Sequence, residues 1–433
     1  MRLNQFKAKI RELSEKNPLT HKFYRACVRA YQRRFSVLDS YLDQYLEQRL
    51  YGSNTTEESA FYAHFPIPPL PPYSSWQEVD YDHYTQILLE KKGFNQAFKD
   101  KFKGRKPVVL FAGNDEHQDK SGFIQDLQKV CEKLYLFHKD DGSYGTAHYG
   151  YTNGRNRFSF YQEANSYVNT AIICDIIDRA RVKPDLLIIQ AWGWNYTPRD
   201  LLKIKHRYKD LKILNLQMDD RACYNLNRSL GTHAILPFID LALSTAPERV
   251  EWILKEGTPA FYMPLASSLD FYHPLEGVEK IYDIGFVGAN QGIRGQIIQA
   301  LERENFKVKA YGYGFGGRLP LEQTNAFFNQ CELVLGCGNI GSLDFINMKL
   351  RDFDAPMSGA AYITTYNPDL QALFDKDCMI FYKDIAELIS KARYYLEHKE
   401  ALQAIREKAF FKASSQHTYE QRFLEIFERI LLH

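Results

Sequence analysis

The stretch YDIGFVGANQGIRG, residues 282–295, decides how the rest of the chain is read. Its first half is a short apolar run, as in a strand covered on both faces. Its second half is glycine-rich and opens a helical pattern over about 292–304. Strand, glycine turn and helix in that order form the repeating unit of a doubly wound α/β sheet, which binds ligands beyond the carboxyl ends of its strands. The loop presents backbone N–H groups at a helix start, and Arg294 adds a full charge with parallel donors, a combination suited to an anion. It is neither a GxGxxG fingerprint nor a Walker loop, since no GK[ST] is present. A turn that is merely tight has the same composition, so both readings stand.

Working outward, the unit repeats. FKVKAYGYG (306–314), CELVLGCG (331–338), AAYITT (360–365) and CMIFY (378–382) are strand candidates, with helices over 321–329 and 345–357. Upstream, PVVLFAG (107–113), KLYLFH (133–138), DLLIIQAWG (185–193), LKILNLQ (211–217), IDLALST (239–245) and PAFYMPLA (259–266) alternate with helical stretches such as 162–181. The expected fold is α/β: two doubly wound Rossmann-like domains facing a cleft, with a helical N-terminal extension and C-terminal helices. The expected division is a helical extension at 1–64, a Pro-rich spacer and lead-in at 65–106, a first domain at 107–275 and a second at 276–433. The spacer holds FPIPPLPPYSS (65–75), whose prolines impose an extended conformation.

A chain of 433 residues is too long for one ordinary core, and 45% hydrophobic with 25% charged residues is a globular composition. A net charge of +2 gives no reason to expect nucleic acid as a partner. Seven cysteines without a CxxC pair or zinc spacing read as reduced thiols. With charges every few residues at the start and no apolar run of bilayer length, the expected location is cytoplasmic. The leader carries Arg25, Arg29, Arg33 and Arg34 on neighbouring turns. That suits either peripheral contact with the inner membrane face or a solvated helix packed on its own protein or on a second copy in a homo-oligomer.

Glycine-rich loops end three strands of the second half: Gly288 with Asn290 and Arg294, then Tyr311-Gly312-Tyr313, then Gly338-Asn339. Three such loops at one sheet edge point to a nucleotide site. In KLRDFDAPMSGAAYITTYNPDLQALF (349–374) and just before it, Asn347, Arg351 and Asp354 are spaced four and three apart, which predicts one helix face. A carboxylate at Asp354 suits a ribose diol and the Arg351 guanidinium a diphosphate. The alternative is a surface pair of the two, which contributes about 0–1 kcal/mol. In the first half, Asp115, Glu116 and His117 follow the first strand and Asp219 and Asp220 end another, all candidates for a general base. Trp192, Trp194 and Asn195 follow a third strand as candidates for stacking an acceptor sugar. Helix caps and turns are the alternative for each of these groups. Met218-Asp219-Asp220 does not reproduce a DxD metal motif, so neither a metal nor another cofactor is expected.

YDIGFVG…R, a glycine-rich third strand and KLRDFDAPMSGAAYITT…DLQALF together resemble the carboxyl half of group-one glycosyltransferases of GT-B fold. The pattern is most similar to the spore-maturation CgeB-type branch, which reads R-x-F-E before an alanine-rich turn and a glycine; FYKDIAELISKARYYLEHKEALQAIREKA and SSQHTYEQRF match its ending. The resemblance covers roughly 280–430. It implies a nucleotide-sugar donor held by the second domain and a glycan, glycolipid or protein acceptor on the first. Asp354 takes the place of the family's ribose-binding glutamate and Arg351 that of its motif arginine, while Arg294 sits where a basic residue meets the diphosphate. Where retaining relatives carry a second acid, this chain has Phe345 or Ile346, with Asp344 adjacent, so retention and inversion both stay open. A sugar-nucleotide epimerase and a non-catalytic two-lobed binding protein fit the same plan.

Overall fold

The structure, a computed structural model, describes residues 79–113, 122–137, 159–193, 195–218, 220–224, 231–338 and 346–432. The expected leader at 1–64 and the FPIPPLPPYSS spacer lie outside the described residues. So do Asp115, Glu116, His117, Trp194, Asp219 and Asn339.

Two parallel sheets form where the apolar runs predict strands. The first holds β1 (Val108–Ala112), β2 (Lys133–Leu136), β3 (Leu186–Ile189), β4 (Lys212–Gln217), β5 (Leu241–Ser244) and β6 (Ala260–Tyr262), in the order β2-β1-β3-β4-β5-β6. The second holds β7 (Tyr282–Val287), β8 (Val308–Tyr311), β9 (Cys331–Leu335), β10 (Ala361–Thr365) and β11 (Ile380–Tyr382), in the order β11-β10-β9-β7-β8. Every strand pairing is parallel. Central strands such as β1 and β3 are buried along their whole length, which is why their sequences run apolar without alternation. In each sheet the first strand lies between the second and the third, so the chain winds outward in both directions from there. The loops leaving β1 and β3, and those leaving β7 and β9, therefore part from one another and open a crevice.

The helices follow from their apolar faces and caps. Arg294–Arg303 buries Ile297, Ile298 and Leu301 against the second sheet. Tyr419–Phe427 starts at a reciprocal capping box between Thr418 and Gln421, legible in the sequence as T-x-x-Q.

The domain division differs from expectation at both ends. The segment 79–106 is not a lead-in: Tyr84, Leu88, Phe94, Phe98 and Phe102 are buried in the first domain's core. The tail does not belong wholly to the second domain either. Helix Tyr419–Phe427 returns to the first domain, where Tyr419 and Phe423 meet Phe123 with ring centroids 4.7 and 5.1 Å apart. The two crossings touch. Ser267 N–H donates to His417 O and Tyr419 N–H to Ser267 O, both at 3.1 Å, a strand-like clip where the chain leaves the first domain and comes back. Periodicity identifies helices but carries no information on which core they cover.

Candidate functional site

The carboxyl ends of β7, β8 and β9 converge on one pocket rim. Gly288 N–H donates to Tyr311 O at 2.8 Å and Asn290 N–H to Tyr313 O at 2.7 Å, which binds the loops after β7 and β8 together. Gly312 has φ +132°, and a Cβ there would lie inside contact distance of the Gly288 carbonyl. Gly312→Ala should therefore spread this rim and weaken any ligand bound against it by about tenfold, with a loss of about 1–3 kcal/mol in stability. Calorimetric titration beside a thermal melt checks both. Gly336 is required for space: a Cβ would meet the hydroxyls of Tyr362 and Thr364. The loop after β9 is fixed by Gly338 N–H donating to Thr365 Oγ1 at 3.0 Å and by Asn347 N–H donating to Gly338 O at 2.9 Å.

Two guanidiniums occupy this rim. Arg294, at the start of its helix, donates to Ala289 O (3.1 Å) and Cys337 O (3.3 Å), reaching from the β7 loop to the β9 loop. Arg351 lies over the ring of Phe286, 4.5 Å from its centroid, and donates to Val287 O beside Gly288. Its Nε and Nη2 are buried without a hydrogen-bond partner among the described residues. Burial first, and the neighbouring Arg351 cation second, push the pKa of Arg294 below its ordinary value. Two like charges thus share a partly dry crevice, a costly arrangement unless an anion completes it.

The predicted single face of Asn347, Arg351 and Asp354 does not form. The helix begins only at Arg351, because residues 346–347 are extended and paired with Gly338, a contact distant in sequence. Asn347 is buried before the helix starts, with its backbone on the β9 loop. Arg351 and Asp354 then diverge. Asp354, 6% exposed, accepts from Ser267 Oγ at 2.7 Å, so its carboxyl meets the interdomain crossing and not the glycine rim. Desolvation raises its pKa to about 8, against a smaller lowering by the Ser267 hydroxyl, so it is largely uncharged at neutral pH. Asp354, the residue expected at a ribose diol, thus stands at the crossing between the domains, hydrogen-bonded to Ser267. Asp352, between the two, is buried as well, accepting from Tyr362 Oη (2.5 Å) and from Lys349 N–H (2.7 Å).

The first-domain candidates separate similarly. Asp220 is fully buried, accepting from Thr232 Oγ1 at 3.2 Å and from Ser244 Oγ. With Gln217 turned to satisfy both groups, its amide adds donors at 2.8 and 3.1 Å. A carboxylate saturated this way braces β4 against β5. Asn195 is buried, its Oδ1 accepting from Trp192 N–H at 3.0 Å in the turn after β3. Trp192 stays half-buried at the carboxyl end of β3. Tyr311 packs edge-on to Phe327, centroids 5.1 Å apart, while Tyr313 is 38% exposed at the rim. Sequence reasoning missed Ser267, Thr365, Glu248 and Asp369, for their roles arise only from pairings across the fold.

Among the described residues no group of three or more His, Cys, Asp or Glu is arranged to hold a metal ion, and no helix is long and apolar enough to cross a membrane.

Residues 294–428 match the family described as glycosyl transferase-like. No curated protein sequence matches the chain. Among solved structures, sucrose-phosphate synthase from Thermosynechococcus elongatus superposes with a TM-score of 0.51 at 8% identity, over 75% of this chain and 98% of that one. HepE from Anabaena, solved with UDP and glucose, superposes with a TM-score of 0.51 at 11% identity, over 75% of this chain and 99% of that one. The same protein solved with UDP-glucose gives the same figures. At such identities the likeness is one of fold. Two parallel-sheet domains, clipped at the crossing and closed by a returning helix, give this chain the GT-B fold, and its residues 294–428 are similar to the family described as glycosyl transferase-like.

Proposed function

We propose that the protein transfers a sugar from a nucleoside diphosphate sugar to a hydroxyl of a glycan, glycolipid or protein, in the manner of the CgeB-like branch. The observation that carries this reading is the pair Arg294 and Arg351 at the β7–β9 crevice, with Nε and Nη2 of Arg351 buried and unpartnered. A diphosphate supplies the missing acceptors. Negative charge on it grows as the sugar departs, so preorganised guanidiniums stabilise the transition state more than the bound donor. Arginines in this position take the part that a metal takes elsewhere, and we propose a metal-independent reaction on that ground. The rim of Gly288, Asn290, Gly312, Tyr313, Gly338 and Asn347 would hold the rest of the donor, together with Asn339, next to Gly338 in the chain.

For the general base we propose the segment Asp115-Glu116-His117 or Asp219, which follow β1 and β4 in the chain. Trp192 and Trp194 after β3 would stack an acceptor ring. We place the reaction in the cytoplasm, where nucleotide sugars are made. UDP-glucose is the first donor to try, as the Anabaena protein of this fold was solved with it.

A thermal-shift screen against UDP, GDP, CDP and TDP sugars tests the reading. At a concentration 100 times Kd, one of them should stabilise the protein by about 2.7 kcal/mol. Incubation with the selected donor should then release its nucleoside diphosphate, faster with a pool of glycan acceptors. No shift with any donor rejects the transferase. Conversion of the donor to an isomer without release of nucleotide would make the protein an epimerase.

A further inference from the structure

We infer that Arg221 is a positioning residue: it clasps the two domains across the cleft and transmits their closure to the anion-binding arginines. What the pocket holds rests on the proposed function above; the clasp itself rests on geometry.

Arg221 lies in the short helix Asp220–Cys223 after β4. Within its own domain, Nε and Nη2 donate to the two carboxylate oxygens of Glu248 at 2.7 and 2.8 Å. Across the cleft, Nη2 also donates to Asp369 Oδ2 at 2.5 Å and Nη1 to the Ile346 carbonyl at 2.9 Å. Asp369 sits in helix Pro368–Leu373 of the second domain. One planar fork therefore holds a carboxylate from each domain, a geometry that a lysine, with its single point charge, cannot reproduce. The side chains of Arg221 and Asp369 are each 15% exposed, so water screens this pair far less than a surface one. The hydrogen bond from Arg221 also holds the Glu248 carboxyl below its ordinary pKa, as expected of a tight pair. Without the arginine, Glu248 and Asp369 would face each other as like charges, and the cleft would open.

The carbonyl that Arg221 grips leads to the pocket. Ile346 is followed by Asn347, whose N–H donates to Gly338 O at 2.9 Å. Cys337, next to Gly338, accepts from Arg294 at 3.3 Å. Arg221, the extended pair 346–347, the β9 loop and Arg294 thus form one chain of contacts from the first domain to the anion pocket. Opening the cleft must break the bonds to Asp369 and Ile346, and with them the tether on 346–347. Closure holds the β9 loop where Arg294 can brace on it. Arg221 itself touches neither Arg294 nor Arg351 and acts through these intermediates.

The test compares wild type, Asp369→Asn, Arg221→Lys and Arg294→Gln. Small-angle scattering without ligand reads domain closure, and calorimetry with UDP, or with whichever nucleoside diphosphate the screen selects, reads the pocket. Asp369→Asn should show a larger radius of gyration and bind the nucleotide about fivefold more weakly or worse. Because coupling is reciprocal, saturating nucleotide should return its radius to the wild-type value. Arg221→Lys should fall between, and it provides a second reading should Asp369→Asn fail to fold. Arg294→Gln should lose nucleotide while keeping the closed radius. Unchanged radius and affinity in both clasp variants overturn the inference. If wild type binds no nucleoside diphosphate, the donor reading fails and the scattering arm alone decides the clasp.

Discussion

Arg351→Gln should lower affinity for a nucleoside diphosphate by about 10- to 100-fold while the melting temperature of the unliganded protein does not fall. The first effect is the loss of a charge-assisted bond to the diphosphate, worth about 1.5–3 kcal/mol. The second follows from the cost of the present arrangement. Arg351 and Arg294 lie close enough for one cation to depress the pKa of the other, and two nitrogens of Arg351 are buried unpaired. Glutamine removes a half-buried charge and relieves Arg294, at the expense of the contact with Phe286 and the bond to Val287 O. Opposite signs in the two measurements separate a binding arginine from a structural one. Titration calorimetry with a parallel melt decides: a drop in both would mean that Arg351 chiefly holds the β7 loop, and unchanged affinity would remove it from the pocket.

Asp354→Asn should raise the melting temperature by an amount that grows with pH. A carboxyl whose folded pKa is raised, here from about 3.8 to about 8, binds a proton in the folded state that the unfolded chain has already released. The cost is absent below the unfolded pKa, increases through the interval between the two values and levels off above pH 8. Asparagine is the neutral counterpart and does not bear that cost. Near pH 4.5 variant and wild type should melt close together, whereas near pH 9 the variant should melt about 2–5 °C higher. Ser267→Ala should act in the opposite sense, since the serine hydroxyl is the hydrogen bond that favours the ionised form. It should lose most stability at alkaline pH. A flat difference across this range would show that Asp354 is charged in the folded protein. Nucleotide affinity measured on Asp354→Asn should stay within about twofold of wild type; a larger loss would return Asp354 to the ribose.

Several features followed directly from residue order. Eleven apolar runs become eleven strands among the described residues; the central ones run apolar because helices cover both faces of a parallel sheet, while the edge strands β2 and β8 are only partly buried. The glycine loops after 288, 312 and 336 fall at one sheet edge because all second-domain strands run the same way. Arg294 was legible for the same reason: it stands at the first helical position after a strand end. The start of helix Tyr419–Phe427 carries T-x-x-Q, which marks a helix start but not the core that it covers.

Spacing misled wherever a distant partner intervened. Asn347 keeps its place in a four-and-three pattern, yet the backbone there is claimed by Gly338 and never becomes helical. Asp354 and Asp220 are acids of the kind that sites use, and burial beside Ser267, or beside Ser244 and Thr232, makes them braces. Glu248 carries no motif, Asp369 opens the DLQALF stretch with nothing local to reveal its partner, and 120 residues lie between them in the chain. Their shared arginine exists only after both domains have folded and met. What this sequence determined alone is therefore what depends on neighbours along the chain: strands, helix starts, glycine turns and the edge where they gather. Which acids keep their charge, which helix returns to which core and which side chains meet across the cleft was decided by tertiary structure, because burial and long-range pairing set the free energy of each group and neither is a property of local order.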